Sequence, residues 1–216
     1  MLVSENRFPS QISPGRLRGP LAHRSVEQRP LQTALSHPMS VPTTQHIKLR
    51  PYEPTDAANL VSLFRASVRT LTAEDYTSAQ RRAWAPDAID EEKFAKRCAN
   101  KETWVAEIQQ RIAGFSDLEP DGHIDMLFVH PDFRRQGVAR ALLQHLEIKA
   151  QTLGLRRLYT EASITARPTF ETRGFRVIVP QLVTVRGESM TNFRMEKRLQ
   201  SALQQPTQQA PPSAPP

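Results

Sequence analysis

The residues with the clearest chemical potential lie in one short stretch, HPDFRRQGVAR, at positions 130–140. Arg134 and Arg135 carry guanidinium groups that can form charge-assisted hydrogen bonds with phosphate oxygens. Gly137 has no side chain, so a ligand can approach the main chain closely, and Ala139 is small for a similar reason. A helix that begins here adds the partial positive charge of its free N–H groups. The stretch therefore predicts an anion-binding loop, with an ordinary solvated loop as the alternative.

The segments around this loop follow an α/β pattern. The apolar run HIDMLFV (123–129) precedes the loop and predicts a strand, and the amphipathic segment after it predicts a long helix that ends at Gly154. The same reasoning predicts the remaining elements: strands at 46–52, 103–108, 111–118, 155–163, 175–185 and 189–199, and helices at 55–68, 73–82, 90–99 and 165–174. Gln109 and Gln110 form a tight turn, so the strands on either side and the run at 123–129 predict an antiparallel meander.

Charge and composition favour one globular domain between two tails. The formal net charge is +7, but five of the 29 basic residues and only two acids lie in the first 45 positions, and residues 46–199 hold 24 basic and 20 acidic residues. No run of five or six like charges occurs, so the domain lacks the basic stripe of a nucleic-acid-binding surface. Neither a nucleic-acid nor a membrane partner is expected, since no apolar run approaches the roughly 18 residues of a membrane helix.

Proline usage predicts the domain boundaries. Six of the 18 prolines lie in residues 1–45 and five in residues 200–216, and neither segment has periodic apolar residues. We expect both to be disordered tails around a domain at 46–199, because they cannot bury enough surface to offset the entropy of ordering. Met39 is an alternative start of the chain.

The single cysteine, Cys98, excludes an internal disulfide and fits a reducing compartment, so we expect a cytoplasmic protein. Cys98 lies on the apolar side of its predicted helix with Phe94, which predicts a buried packing thiol rather than a nucleophile. The six histidines show no metal-ligand spacing, so no metal site is expected.

The order of these elements carries a family resemblance. HIDMLFVHPDFRRQGVARALL resembles the acetyl-CoA-binding core of the GNAT N-acetyltransferases, whose motif [Q/R]-x-x-G-x-[G/A] matches residues 134–139. SITARPTFETRGF is similar to the fifth strand, next helix and Gly-Phe pair of that family, here Gly174 and Phe175. The ending QLVTVRGESMTNFRMEK is similar to that of the YafP-like bacterial subgroup. The resemblance spans residues 46–199.

The resemblance implies an α/β (α+β) fold with a mixed, mostly antiparallel sheet that splays between its fourth and fifth strands, with helices on both faces. It implies acetyl-CoA as co-substrate, with its pantetheine arm beside the fourth strand and its diphosphate on the loop. The coenzyme-binding residues implied are Leu127, Phe128, Val129, Arg134, Arg135, Gln136, Gly137, Val138 and Ala139.

The family's chemistry implies a catalytic set. A neutral amine attacks the thioester directly, and the family often places a carboxylate base on the fourth strand, where this chain has Asp125, with His123 as second choice. Ser163 and Glu161, at the end of the fifth strand, are further candidates. Many relatives have a tyrosine as proton donor where this chain has Phe170, so water, Ser163 or Tyr76 would have to replace it, unless the thiolate leaves unaided.

The acceptor side is less defined by sequence. Tyr76 and Trp84 fall in the region that commonly covers the acceptor pocket, with lid or core packing as the alternative. The leading hypothesis is transfer of an acetyl group to a small-molecule or protein amine. The alternatives are a non-catalytic acyl-CoA-binding module and a nucleic-acid-binding protein that uses the arginine-rich first segment. The last strands could pair two copies into a homodimer, as they often do in relatives.

Overall fold

A computed structural model describes residues 46–199, so the predicted tails at 1–45 and 200–216, with the alternative start at Met39, lie outside the described residues. Within that range the strands form two sheets, with spatial orders β1-β2-β3-β4 and β5-β7-β6. All strand pairs within the sheets are antiparallel. The strands are β1 Lys48–Pro51, β2 Glu102–Ile108, β3 Arg111–Leu118, β4 Leu127–Val129, β5 Arg157–Ser163, β6 Arg176–Val185 and β7 Glu188–Arg198.

Five α-helices cover the sheets: α1 Ala57–Ala66, α2 Ser78–Trp84, α3 Glu91–Ala99, α4 Val138–Thr152 and α5 Arg167–Thr172. α1 continues directly into a π-helical segment, Ser67–Leu71. Local sequence explains several boundaries. Thr77 and Gln80 form a reciprocal capping box at the start of α2, and the Asp90 side chain accepts a hydrogen bond from Lys93 N at the start of α3.

The two sheets join at one end and separate at the other. Buried Asp117 accepts hydrogen bonds from the main-chain N–H groups of Asp125 (3.0 Å) and Met126 (2.7 Å), which interrupts the ladder just before β4. On the N-terminal side of that interruption, the main chain of residues 122–124 pairs with β5. Ile124 N donates to Tyr159 O (2.8 Å), and Tyr159 N donates to Gly122 O (3.0 Å). From this junction β4 and β5 diverge and leave a cleft between them.

Helices pack on both faces of the first sheet. Val105 and Phe115 face α1 and α3, and their cluster includes Cys98, which is fully buried as predicted. Ala106 and Ala113 face the opposite way, towards α4. The α/β class, the mostly antiparallel sheets, the splay between the fourth and fifth strands and the helices on both faces are thus confirmed.

Two predicted elements were wrong in part. The predicted helix at 73–82 begins only at Ser78, because residues 72–77 form a turn that precedes the Thr77 cap. The predicted strand at 123–129 is a ladder only at Leu127–Val129, since Asp117 takes the N–H groups ahead of it. None of the helices within residues 46–199 is long and apolar enough to cross a membrane.

Candidate active site

A pocket of about 400 Å³ occupies the cleft between β4 and β5. Its lining includes most of the predicted site residues: Trp84, Asp125, Leu127, Phe128, Val129, Arg134, Arg135, Gly137, Val138, Ala139 and Ser163. Three others, Tyr76, His123 and Gln136, lie outside the lining. Phe170 and Glu161 also line the pocket. The structure therefore brings the loop, the fourth strand and the end of the fifth strand to one cavity.

The loop presents main-chain N–H groups to this pocket. Gly137 has a φ of +84°, a left-handed conformation that glycine adopts without strain, and Ala141 N makes a helical bond of 2.9 Å to Gly137 O. Within residues 46–199, the N–H groups of Gly137, Val138 and Ala139 have no hydrogen-bond partner. Gln136 differs, because its N–H donates to Phe133 O (3.3 Å) and its side chain donates to Asp132 O (3.0 Å).

The start of α4 comes close to β4 because Gly114 lies between them. A Cβ at position 114 would lie 2.7 Å from Val138 Cγ1 and 2.8 Å from Phe128 O, which no side chain tolerates without a shift. A glycine in a strand is a signal of close main-chain approach, but the sequence alone does not say to what.

Among residues 46–199, β4 has a hydrogen-bonded neighbour strand along one edge only, and that neighbour is β3. His130 N donates to Ala113 O (2.9 Å), and Asp117 N donates to Met126 O (3.2 Å). Since antiparallel partners alternate, the main-chain groups of Phe128 face β3, and those of Leu127 and Val129 face the cleft. Only two of the three predicted residues therefore offer their main chain to a ligand; Phe128 contributes its ring.

Asp125 lines the pocket but is already engaged by two cations. Arg97 Nε lies 3.1 Å from Asp125 Oδ2, and the Lys101 ammonium contacts the same oxygen. Burial alone would raise the pKa of Asp125, but the positive charges of Arg97 and Lys101 outweigh it and hold the pKa below its usual value.

His123 and Glu161 form a second ionisable pair. His123 Nε2 lies 2.7 Å from Glu161 Oε2, and Nδ1 lies 3.5 Å from Glu119 Oε2. The imidazole stacks on Tyr159, with ring centroids 4.7 Å apart and an interplanar angle of 18°. Burial lowers the pKa of His123, but the hydrogen bond and charge of Glu161 with the charges of Asp125 and Glu119 raise it above its usual value. His123 itself lies outside the pocket lining, and it orients the carboxylate of Glu161, which lines the pocket.

Ser163 and Phe170 lie at the opposite wall. Ser163 Oγ accepts a hydrogen bond from Ala166 N (3.0 Å), which leaves its own proton free to be donated. Phe170 is buried and packs edge-on against Phe175, with centroids 5.1 Å apart. This position therefore offers the pocket an apolar ring and no proton.

Of the two aromatic residues predicted to contact an acceptor, Trp84 lines the pocket and Tyr76 does not. Tyr76 is buried, and its hydroxyl donates to Thr191 O (2.6 Å) and accepts from Ile164 N (2.9 Å). The two rings pack edge-on at 5.8 Å. Tyr76 therefore packs against Trp84 on the side away from the pocket lining.

One wall of the pocket was not predicted from sequence. It is formed by the π-helical segment Ser67–Leu71 and Thr72, whose hydroxyl donates to Val68 O (2.6 Å). π-helical segments often accompany functional sites. The sequence showed only an amphipathic helix here, and nothing in its spacing signalled the wider turn.

The comparisons with known proteins agree with this geometry. A family model described as "Acetyltransferase (GNAT) domain" matches residues 72–198. The chain is 40% identical over 156 residues to the uncharacterised N-acetyltransferase YafP of Escherichia coli strain K12, which covers 72% of this chain and 98% of that protein.

Solved structures show the same likeness. A GCN5-related N-acetyltransferase of Rhodopseudomonas palustris, also named a class-II aminotransferase, is 42% identical with a TM-score of 0.68 and covers 70% of this chain and 95% of its own. YncA of Salmonella typhimurium, a putative acetyltransferase solved with acetyl-CoA, is 16% identical with a TM-score of 0.57 and covers 78% of this chain and 99% of its own; this shows a shared fold. The chain belongs to the GNAT family of acetyltransferases.

Proposed function

We propose that this acetyltransferase transfers the acetyl group of acetyl-CoA to a primary amine, which attacks the thioester directly in a ternary complex. One observation carries the proposal: the uncapped first turn of α4 and the unpaired edge of β4 open into the same pocket. A helix N-terminus binds an anionic group and a free strand edge binds an extended amide chain, and a coenzyme that contains both matches that combination.

Each part of the pocket has a counterpart in acetyl-CoA. The N–H groups of Gly137, Val138 and Ala139 bind the diphosphate, with Arg134 and Arg135 supplying positive charge from the pocket rim. Leu127 and Val129 pair with the amide groups of the pantetheine arm. The acetyl-CoA bound to the Salmonella relative supports the same co-substrate here.

The contacts favour Glu161 over Asp125 as the base that removes the amine proton. Asp125 is held by Arg97 and Lys101 in a low-pKa form, so it accepts a proton poorly. Glu161 lines the same pocket, and its single close partner within the described range 46–199 is His123, which orients it. We therefore assign Glu161 as base and His123 as a positioning residue, while Asp125 stays a prediction from sequence.

The remaining roles follow from position. Val129 N–H points into the cleft and can polarise the thioester carbonyl. Ser163 lines the pocket and has a hydroxyl proton to donate. It is therefore the candidate to protonate the coenzyme's thiolate in place of the hydroxyl that Phe170 lacks.

A second function deserves a test because of Phe170. A buried phenylalanine in the pocket wall removes one proton donor, which is compatible with a module that binds acyl-CoA without transferring the acyl group. Such a module would be stabilised by the coenzyme and would release no thiol with any amine.

The test is thermal and chemical unfolding with acetyl-CoA and with pantetheine. At about 100 times the dissociation constant, acetyl-CoA adds roughly 2.7 kcal/mol to the free energy of unfolding. The Gly137→Glu variant should lose this gain, because the side chain blocks the N–H groups and carries like charge. A Gly154→Glu variant is the matched control: position 154 also has a positive φ and open space around it, and it lies at the far end of α4. Equal stabilisation of Gly137→Glu and the parent would contradict the proposal.

A further inference from the structure

The acceptor side of the cleft is bridged by a set of side chains that we call the clamp. It joins residues 75–83, which comprise the turn before α2 and most of α2, to the residues just after β5 and to the β6–β7 hairpin. Its hydrogen bonds are Tyr76 Oη to Thr191 O (2.6 Å), Ile164 N to Tyr76 Oη (2.9 Å), Gln80 Nε2 to Ser189 O (2.7 Å), Arg186 Nη1 to Ala83 O (2.6 Å) and Thr165 Oγ1 to Asp75 Oδ2 (2.5 Å). The clamp ties α2 to the second sheet at several points.

The clamp fixes an apolar wall over the pocket. Trp84, the last residue of α2, packs between Tyr76 at 5.8 Å and Phe128 at 6.4 Å between ring centroids. Val68 and Leu71 of the π-helical segment line the pocket beside it. The cavity next to the proposed thioester position is therefore walled by aromatic and aliphatic groups.

Two carboxylates line this pocket, and one of them is available to an acceptor. Glu161, held by His123, is the carboxylate that can receive an ammonium group, since Asp125 is taken by Arg97 and Lys101. An acceptor that satisfies both features has one amine and an apolar body. A second charge on the acceptor would have to be buried against Trp84 and Leu71 without a partner, which is costly.

Space and access limit the acceptor further. The whole pocket measures about 400 Å³ and must also hold the coenzyme's arm. A peptide acceptor needs a groove that continues past the reacting amine. Thr165 and Trp84 both line the pocket, and the clamp joins the segments that carry them, so a longer acceptor would have to pass the clamp. We propose that the acceptor is a small, free primary amine with an apolar body, rather than a protein amine or a polyamine. This inference rests on the proposed function.

The experiment measures thiol release from acetyl-CoA by the full chain with four acceptors: 2-phenylethylamine, 3-methylbutylamine, spermidine, and a peptide with a free N-terminus and one lysine. We expect kcat/KM for the two apolar amines to exceed that for spermidine and the peptide by at least about tenfold. Higher kcat/KM with the peptide or spermidine would overturn the inference and leave the proposed function standing. Stabilisation by acetyl-CoA with no turnover of any amine overturns it too and favours the binding module. Absence of that stabilisation overturns the proposed function itself.

Variants of Trp84 and of Tyr76 test the apolar wall and the clamp separately. Trp84→Ala should raise KM for 2-phenylethylamine about tenfold or more while acetyl-CoA still stabilises the protein, and Trp84→Phe should restore most of the loss. Tyr76→Phe removes two clamp hydrogen bonds and should raise peptide turnover relative to 2-phenylethylamine. Tyr52→Phe is the matched control, since its buried hydroxyl has no partner within residues 46–199. An unchanged ratio in Tyr76→Phe would count against the clamp as the barrier to peptides.

Discussion

At the scale of single residues, two carboxylates line one pocket and differ in what surrounds them. Asp125 shares one oxygen between Arg97 and Lys101, whereas Glu161 meets the imidazole of His123. Two permanent cations stabilise a carboxylate anion so strongly that it becomes a poor proton acceptor. A carboxylate with one orienting partner keeps an oxygen available to the substrate. In our proposal the same functional group, a carboxylate, therefore has a structural role at Asp125 and a chemical role at Glu161.

Replacing Glu161 by Gln should lower kcat by at least about 100-fold, because the amide cannot accept the amine's proton. The stabilisation by acetyl-CoA should be retained, since Glu161 does not contact the coenzyme in our proposal. Steady-state thiol release and a melting scan with the coenzyme measure the two effects. If Glu161→Gln keeps parental kcat, another group is the base.

Replacing Asp125 by Asn should destabilise the fold by about 3 kcal/mol, because Arg97 then loses its carboxylate partner in a mostly buried site, while Lys101 keeps Asp117 and Glu119. The folded-state pKa of Asp125 lies below its ordinary value of 3.8, so this contribution is present above that pH and is lost as the pH falls through the lowered pKa. Urea unfolding of both proteins at neutral and acidic pH measures the difference.

Glu92→Gln is the matched control for that measurement. It removes the charge that pairs with Lys96 on the exposed face of α3, and solvent screens such surface pairs, so they contribute little to the free energy of unfolding. If Asp125→Asn lowers the free energy of unfolding no more than Glu92→Gln does, the contacts of Asp125 with Arg97 and Lys101 do not stabilise the fold. Asp125 would then be a candidate base again.

At the scale of elements, we propose that β4 and α4 bind the coenzyme through their main chains. In a three-residue strand the main-chain groups of two residues face one edge and those of the middle residue face the other, and here Leu127 and Val129 face the cleft. Gly114 brings the start of α4 against this strand. The side chains of the apolar run matter mainly for packing, so the binding function is compatible with an ordinary core strand.

The alternation along β4 makes a prediction about hydrogen exchange. Acetyl-CoA should slow the exchange of the Val129 amide strongly, because that N–H points into the cleft. The Phe128 amide should change little, because β3 already protects it. Amide exchange measured by NMR with and without acetyl-CoA tests this, and protection gained at Phe128 but not at Val129 would mean that the strand binds the ligand in the opposite register.

At the scale of the whole molecule, the site exists only because two sheets separate. The Asp117 side chain ends the hydrogen-bond ladder between β3 and β4, and Ile124 N bonds to Tyr159 O in the second sheet. The pocket lies between β4 and β5, where the two strands are no longer hydrogen-bonded to each other. α4 and the clamp then hold the two sides of the cleft at a fixed separation.

Every residue assigned to the site lies within residues 46–199, so a chain limited to these residues should be stabilised by acetyl-CoA as much as the full chain. We propose this range as the functional domain. Unfolding of both proteins over the same coenzyme concentrations measures the shift. A smaller shift in the shorter chain would show that residues outside the range contribute to binding.

Short-range patterns in the sequence were sufficient for most of the helices and strands. Hydrophobic periodicity, glycine positions and cap residues act over a few residues, and so the long helix α4 and the buried Cys98 were predicted correctly. The coenzyme-binding role of residues 134–139 stays a prediction. The predicted helix at 73–82 was wrong at its start, because the Thr77 capping box overrode a weak apolar pattern.

The tertiary structure alone decided which side chains meet. Glu161 and His123 lie 38 positions apart and touch only because the chain before β4 crosses to β5, and Arg97 reaches Asp125 across 28 positions. Neither pairing leaves a local signal, because it depends on how two sheets diverge rather than on any residue's neighbours in sequence. The sequence by itself therefore predicted the elements and an anion-binding loop at the start of α4, whereas the splay of the two sheets decided which side chains share the pocket and which carboxylate meets which cation.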